Sequence, residues 1–268
     1  LKRLLNYPGS KWSMADLIIK NMPMHKSYLE PFCGSCAVFM NKPRVVLETI
    51  NDADSRLVNL FKAMRDNPEK LQYLIMHTLY SREEYLLSQE KADDKLEDAR
   101  RMAVRLWFAV GGKTNANVGF RKNVSWNGPY NTFEWTDMYS RIGIAAARLK
   151  NAQIEKMDAL KLIEQHNDED TLIYCDPPYV PSSLVSAHYQ HDFTLEQHQE
   201  LLSLLKKHEG SVMISGYESE LYNRELAMWP RIEKQVKVGI TSEKKTDRQE
   251  VIWCNFEPPA QMNLFDIN

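Results

Sequence analysis

Four consecutive residues, Asp176-Pro177-Pro178-Tyr179, bring together a carboxylate, two prolines and an aromatic ring. The run before them, Thr171-Leu172-Ile173-Tyr174-Cys175, reads as a short buried strand, so the tetrapeptide sits at a strand's carboxyl end. Open α/β sheets hold their ligands at that end. Consecutive prolines remove two backbone donors and fix φ, and the loop leaves the sheet stiff and extended. A stiff loop offering a carboxylate, free carbonyls and a π face can grip a flat polar base. On its own the tetrapeptide reads equally well as a proline-stiffened turn with an incidental acid.

Two other clusters carry chemistry. Cys33-Gly34-Ser35-Cys36 is a C-x-x-C spacing, which serves as a redox pair in some βαβ units and as a plain small-residue turn in others. A thiol at a helix N-terminus is expected to have a lowered pKa. No second C-x-x-C follows to complete a zinc site, and no metal is expected. Asn51-Asp52-Ala53-Asp54 places two acids after an apolar run, where an acid can bind ribose hydroxyls or cap a helix.

The elements that must position these residues follow from hydrophobic spacing. Ser27 to Phe32 and Arg44 to Ile50 read as strands, separated by the Cys33–Cys36 turn and a short helix. Leu57, Leu60, Phe61 and Met64 then recur at helical spacing. Strand, small-residue turn, helix, strand and acidic end make half of a nucleotide-binding α/β unit. From Pro68 to about Val110 the pattern is helical, with one stripe at Leu71, Leu74, Ile75 and Leu79 and another at Met102, Leu106 and Val110. The α/β pattern resumes at Ala152 to Met157. Thr194 and Gln197 spell a capping box, Ser211 to Ser215 a strand and Glu218 to Met228 a helix. Arg231 to Ile240 and Gln249 to Phe256 look like a closing antiparallel pair. The expected divisions are 1–64 and 151–256 for one α/β domain, 65–150 for a helical insertion and 257–268 for a tail.

The balance of 34 basic against 36 acidic residues gives a net charge of −2, so any nucleic-acid binding must come from local patches. No apolar run approaches the roughly 20 residues that span a bilayer, and no signal peptide is read at the start. Four cysteines in 268 residues do not make a disulfide framework, and the expectation is a reducing cytoplasm.

Glu30-Pro31-Phe32-Cys33-Gly34-Ser35-Cys36, Asn51-Asp52 and Asp176-Pro177-Pro178-Tyr179, preceded by Tyr7-Pro8-Gly9-Ser10-Lys11, resemble the motifs of Dam-type (D12 class, alpha group) DNA N6-adenine methyltransferases. The resemblance spans nearly the whole chain. It implies a Rossmann-like S-adenosylmethionine-dependent methyltransferase fold with a mostly helical inserted target-recognition domain, duplex DNA as substrate, and a target adenine flipped out of the helix. It also implies that Asp176, Pro177, Pro178 and Tyr179 are catalytic, and that Tyr7, Lys11, Phe32, Gly34, Asp52, Asp158 and Asp176 hold S-adenosylmethionine. The family usually carries Gly where this chain has Cys36, and Cys resists positive φ.

The residues support such chemistry directly. Adenine's exocyclic amine is a poor nucleophile because its lone pair is delocalised into the ring. Asp176 and the Pro177 carbonyl can accept hydrogen bonds from that amine and free the lone pair, while Tyr179 stacks on the base. DNA contacts are expected from Lys113, Arg121, Lys122, Asn123 and Trp126 in an irregular Gly- and Asn-rich stretch, and from Lys244, Lys245 and Arg248 in the last hairpin. Gln261, Leu264 and Phe265 resemble the Gln-x-x-Leu-Phe peptide that docks on the DNA polymerase sliding clamp. Competing readings are RNA adenine methylation on the same scaffold and a catalytically silent nucleic-acid-binding homologue.

Overall fold

Thr171–Cys175 has no polar face: all five residues are buried, which suits a strand covered on both sides. The computed structural model describes residues 1–112, 119–122, 132–180, 193–238 and 246–259. Its strands are β1 (Ser27–Glu30), β2 (Leu47–Asn51), β3 (Gln153–Glu155), β4 (Thr171–Cys175), β5 (Ser211–Tyr217), β6 (Arg231–Val238) and β7 (Thr246–Cys254). They form one seven-stranded sheet in the order β3-β2-β1-β4-β5-β7-β6. The first five are mutually parallel, and β7 runs antiparallel between β5 and β6. Strand order reverses between β1 and β4, the kind of switch point that opens a crevice at the carboxyl ends of both.

Ten α-helices accompany the sheet: α1 (Ala15–Lys20), α2 (Ala37–Asn41), α3 (Ser55–Asp66), α4 (Pro68–Met76), α5 (Arg82–Leu87), α6 (Lys95–Phe108), α7 (Thr132–Leu149), α8 (Ala159–Gln165), α9 (Leu195–Lys207) and α10 (Glu220–Glu225), counted among the described residues. Their starts are written locally. Asp54 accepts from the Arg56 and Leu57 amides at the head of α3, Asp94 from Glu97 at α6, and the Thr194–Gln197 capping box opens α9 as expected.

The central strands of the sheet are covered on both faces. One face and the helices α3 to α7 share a continuous core, in which Tyr28, Ile50, Leu57 and Phe61 meet Leu71, Met102, Leu106, Met138 and Ile142. The other packs Leu29, Ile173 and Ile214 against Leu201, Leu205 and Trp253. The helical stretch is thus fused to the α/β core through α3. Three expected stripe positions fall outside it, and the first, Leu74, is half-buried. Leu79 is 77% exposed because α4 ends at Met76, and Val110 is 38% exposed because α6 ends at Phe108 and Gly111 turns the chain at φ 74°. Past the helix end, a spacing of 3.6 no longer sets a face.

Candidate active site

The turn after β1 is held from three sides. The Cys33 amide donates to the Asn51 carbonyl at 2.9 Å, the Gly34 amide to Asp52 Oδ2 at 2.9 Å, and the Ser10 and Ser35 hydroxyls lie 2.7 Å apart. Gly34 has φ 47°, and a Cβ there would stand 3.1 Å from two atoms of the Tyr7 ring. Cys36 also takes the left-handed region, φ 54° and ψ 30°, as the N-cap of α2. The glycine-like conformation is therefore kept with a side chain in place. Both thiols are buried and their pKa values rise, Cys33 well above the usual range and Cys36 to about 11, with burial the largest cause. The shift runs opposite to the lowering expected of a thiol at a helix N-terminus.

Asn51 ties the neighbouring strand ends together. Its Nδ2 donates to the Pro31 and Met157 carbonyls, and its Oδ1 accepts from the Met157 amide at 2.7 Å. Asp52 comes next, its two oxygens accepting from the Gly34 and Asp54 amides. A carboxylate at this strand end is the kind of group that accepts from ligand hydroxyls. The cap role belongs to Asp54, which separates the two acids that the sequence leaves as competitors. Asp158 caps α8, accepting from the Lys161 amide at 3.0 Å.

These loops surround a cavity of about 470 Å³ at the carboxyl ends of β1 to β4. Tyr7, Lys11, Phe32, Gly34, Asp52, Asp158 and Asp176 all line it, as do Glu30, Pro178 and Phe193. A space of this size suits a nucleoside-sized ligand. The Phe193 ring meets Phe32 edge-on at 5.4 Å.

At the end of β4, the contacts to Asp176 among the described residues converge on one oxygen. Lys11 Nζ is 2.8 Å from Oδ1, and the Ser215 hydroxyl donates to the same atom at 2.9 Å. Lys11 also lies 2.8 Å from Glu250 Oε1, donates to the Gly9 carbonyl at 2.9 Å, and stands 3.4 Å from the Tyr179 hydroxyl. Burial opposes the Lys11 charge, but Asp176, Tyr179 and Glu250 hold its pKa well above the usual value. Burial lifts the Glu250 carboxyl in turn, with Lys11 opposing. The Tyr179 ring stacks on Tyr217 with centroids 4.3 Å apart and planes 28° apart. Glu30 is a second buried acid: its Oε2 accepts from the Tyr28 hydroxyl at 2.7 Å and the Phe39 amide at 3.0 Å, and burial raises its pKa to about 8.

The sequence profile of the D12 class N6 adenine-specific DNA methyltransferases matches residues 7–238. The chain belongs to this family. It is 29% identical over 239 residues to the Type II methyltransferase M1.LlaDCHI of Lactococcus lactis subsp. cremoris, covering 82% of this chain and 83% of the relative. The DNA adenine methylase of Haemophilus influenzae is 27% identical, with 92% and 91% covered. That of Escherichia coli is 24% identical, with 92% and 93% covered. The RNA and silent-homologue readings are not favoured by this membership, and the mainly parallel seven-stranded sheet is the α/β architecture that the Rossmann-like reading expects.

In this methyltransferase, sequence reasoning passed over Ser215 and Glu250 as partners of the Asp176–Lys11 pair. It also passed over Tyr217 behind Tyr179 and Glu30 beneath the cofactor turn. Only Glu30 had a signal, an acid inside an otherwise apolar strand. Of the expected DNA contacts, Arg121 and Lys122 are described. The Arg121 amide donates to the Phe108 carbonyl at 2.7 Å and its own carbonyl accepts from the Tyr80 hydroxyl at 2.9 Å, which pins this stretch to the end of α6. Lys113, Asn123, Trp126, Lys244, Lys245, the Arg248 side chain and the tail residues Gln261, Leu264 and Phe265 lie outside the described residues. Among the described residues, no helix is long and apolar enough to cross a membrane.

Proposed function

We propose that this chain transfers a methyl group from S-adenosylmethionine to the N6 amine of an adenine flipped out of duplex DNA. The observation that carries the reading is the one-sided grip on Asp176. Lys11 and Ser215 fix its Oδ1 at the rim of the cavity, which leaves Oδ2 as the acceptor for a substrate amine among the described residues. An acceptor anchored in this way directs one N–H of the amine, and the rigid Pro177 carbonyl takes the other. Drawing both hydrogens aside lets the nitrogen lone pair leave the ring's conjugation. Tyr179, backed by Tyr217, supplies the stacking face for a base that has left its helix.

The donor set of the cavity fits the methyl donor. Asp52 lines the cavity as a carboxylate suited to ribose hydroxyls, Gly34 leaves the Tyr7 ring in place, and Phe32 and Asp158 line the same cavity. The bound cofactor would supply an electrophilic methyl group. The proton released from N6 passes to water, so no histidine base is needed. Substrate contacts are assigned to Arg121 and Lys122, and to Lys113, Asn123, Trp126, Lys244, Lys245 and Arg248 on sequence grounds. Residues 65–150 are assigned to target recognition, a cytoplasmic location is proposed, and clamp docking by Gln261, Leu264 and Phe265 rests on the tail sequence alone.

The test is transfer of labelled methyl from S-adenosylmethionine to unmethylated genomic DNA, followed by identification of N6-methyladenine. Asp176→Ala is expected to keep DNA affinity while lowering turnover by about 10²-fold or more. Near-normal turnover would mean that another group activates the amine.

A further inference from the structure

Lys11 is 4% exposed and holds two carboxylates at once, Asp176 Oδ1 and Glu250 Oε1, each at 2.8 Å. One counter-ion neutralises one ammonium, and burying a second carboxylate beside it is costly. Glu250 is itself 6% exposed at its side chain. It sits on β7, paired in register with Tyr217 on β5 and Lys234 on β6. Lys234, the other cation facing it, donates to the Ser13 carbonyl at 2.7 Å. Its cross-strand neighbour Tyr217 is the ring stacked on Tyr179. Two of the groups that surround the expected position of the substrate amine therefore trace back to one strand pair.

We propose that Glu250 is a positioning residue for methyl transfer, which shares the Lys11 ammonium so that Asp176 keeps a net negative field beside the reacting amine. The inference rests on the function proposed above. In that reaction the sulfur–methyl bond breaks as the nitrogen–methyl bond forms, and positive charge moves from sulfur to N6 before a proton leaves to water. A lone Lys11–Asp176 pair would present that nascent cation with a neutral dipole. With Glu250 added, Lys11, Asp176 and Glu250 total one negative charge, which the half-buried Lys234, donating to the Ser13 carbonyl, offsets in part from the β6 side. Glu250 touches neither substrate nor cofactor and acts through Lys11 and Asp176.

The test compares Glu250→Gln, which keeps shape and removes charge, with Glu250→Asp, which keeps charge and shortens the reach. For Glu250→Gln, kcat is expected to fall about 10- to 100-fold while KM for DNA stays within about twofold. Glu250→Asp should recover most of that loss. A binding readout runs beside activity: the affinity of sinefungin, which carries an ammonium near the position of the transferred methyl, relative to neutral S-adenosylhomocysteine. That ratio should drop by several fold in Glu250→Gln and hold in Glu250→Asp. Unchanged kcat in Glu250→Gln, equal losses in both variants, or an unchanged affinity ratio each overturns the proposal, and so does failure of both variants to fold by circular dichroism. Wild-type protein is assayed alongside. If it leaves adenine in duplex DNA unmethylated, the underlying function is refuted and the proposal falls with it. An active wild type with an equally active Glu250→Gln refutes the role of Glu250 alone.

Discussion

Glu30→Gln is expected to make the protein more stable at neutral pH, and the gain should grow as pH rises. Glu30 is 2% exposed, and burial raises its pKa from 4.5 to about 8. Between those two values the folded protein holds a proton that the unfolded chain has released, so ν_U − ν_N is near −1. The stability of the wild type then falls as pH increases, by about 1.4 kcal/mol per unit from this group. Its contribution is intact below pH 4.5, lost progressively through that window, and flat above about pH 8. At pH 7 the accumulated loss is about 3 kcal/mol, worked from 2.5 pH units at 1.36 kcal/mol each. Glutamine resembles the protonated acid, and its amide oxygen can accept from Tyr28 and from the Phe39 amide as Oε2 does now. The variant should therefore match wild type near pH 4.5 and exceed it by up to about 3 kcal/mol at pH 7. Urea denaturation of both proteins at pH 5, 6, 7 and 8 measures this. Every other titrating group cancels in the difference, so equal pH slopes for the two proteins would refute the reasoning.

Two further predictions concern the cofactor turn. Gly34→Ala forces a side chain into φ 47° and sets a Cβ 3.1 Å from the Tyr7 ring, which lines the cavity and must shift to accept it. S-adenosylmethionine affinity, measured by calorimetry, should fall by about tenfold or more, and an unaltered affinity would mean that Tyr7 does not border the ligand. Cys36→Gly relieves a left-handed residue of about 1–2 kcal/mol while giving up a small buried side chain and some unfolded-state freedom. Its stability should lie within about 1 kcal/mol of wild type, whereas a large loss would show that the thiol's packing outweighs the strain.

Much of this site was legible because each of its parts is local. Asp176-Pro177-Pro178-Tyr179, Asp52 and the Cys33–Cys36 turn each follow an apolar run, and in a parallel sheet every such run ends at the same edge. Converging ends follow from topology, so the motifs meet without any need to know the packing. What joins the motifs was not legible. Lys11 and Glu250 come from opposite ends of the chain, and their meeting depends on β7 entering between β5 and β6, which no spacing announces. Ser215 and Tyr217 were visible only as positions near a strand end, and their partners Asp176 and Tyr179 come from the neighbouring strand's loop. Cys36 shows the converse limit. Its intrinsic preference argues against positive φ, yet three hydrogen bonds that fasten the turn to Asn51, Asp52 and Ser10 hold it there. A fastened turn can override one residue's preference by about a kcal/mol or two, since that is all the preference is worth. No comparable margin protects Glu30, whose burial costs more than Cys36's strain. Its replacement therefore tests most directly whether the acid beneath the turn is kept for something other than stability.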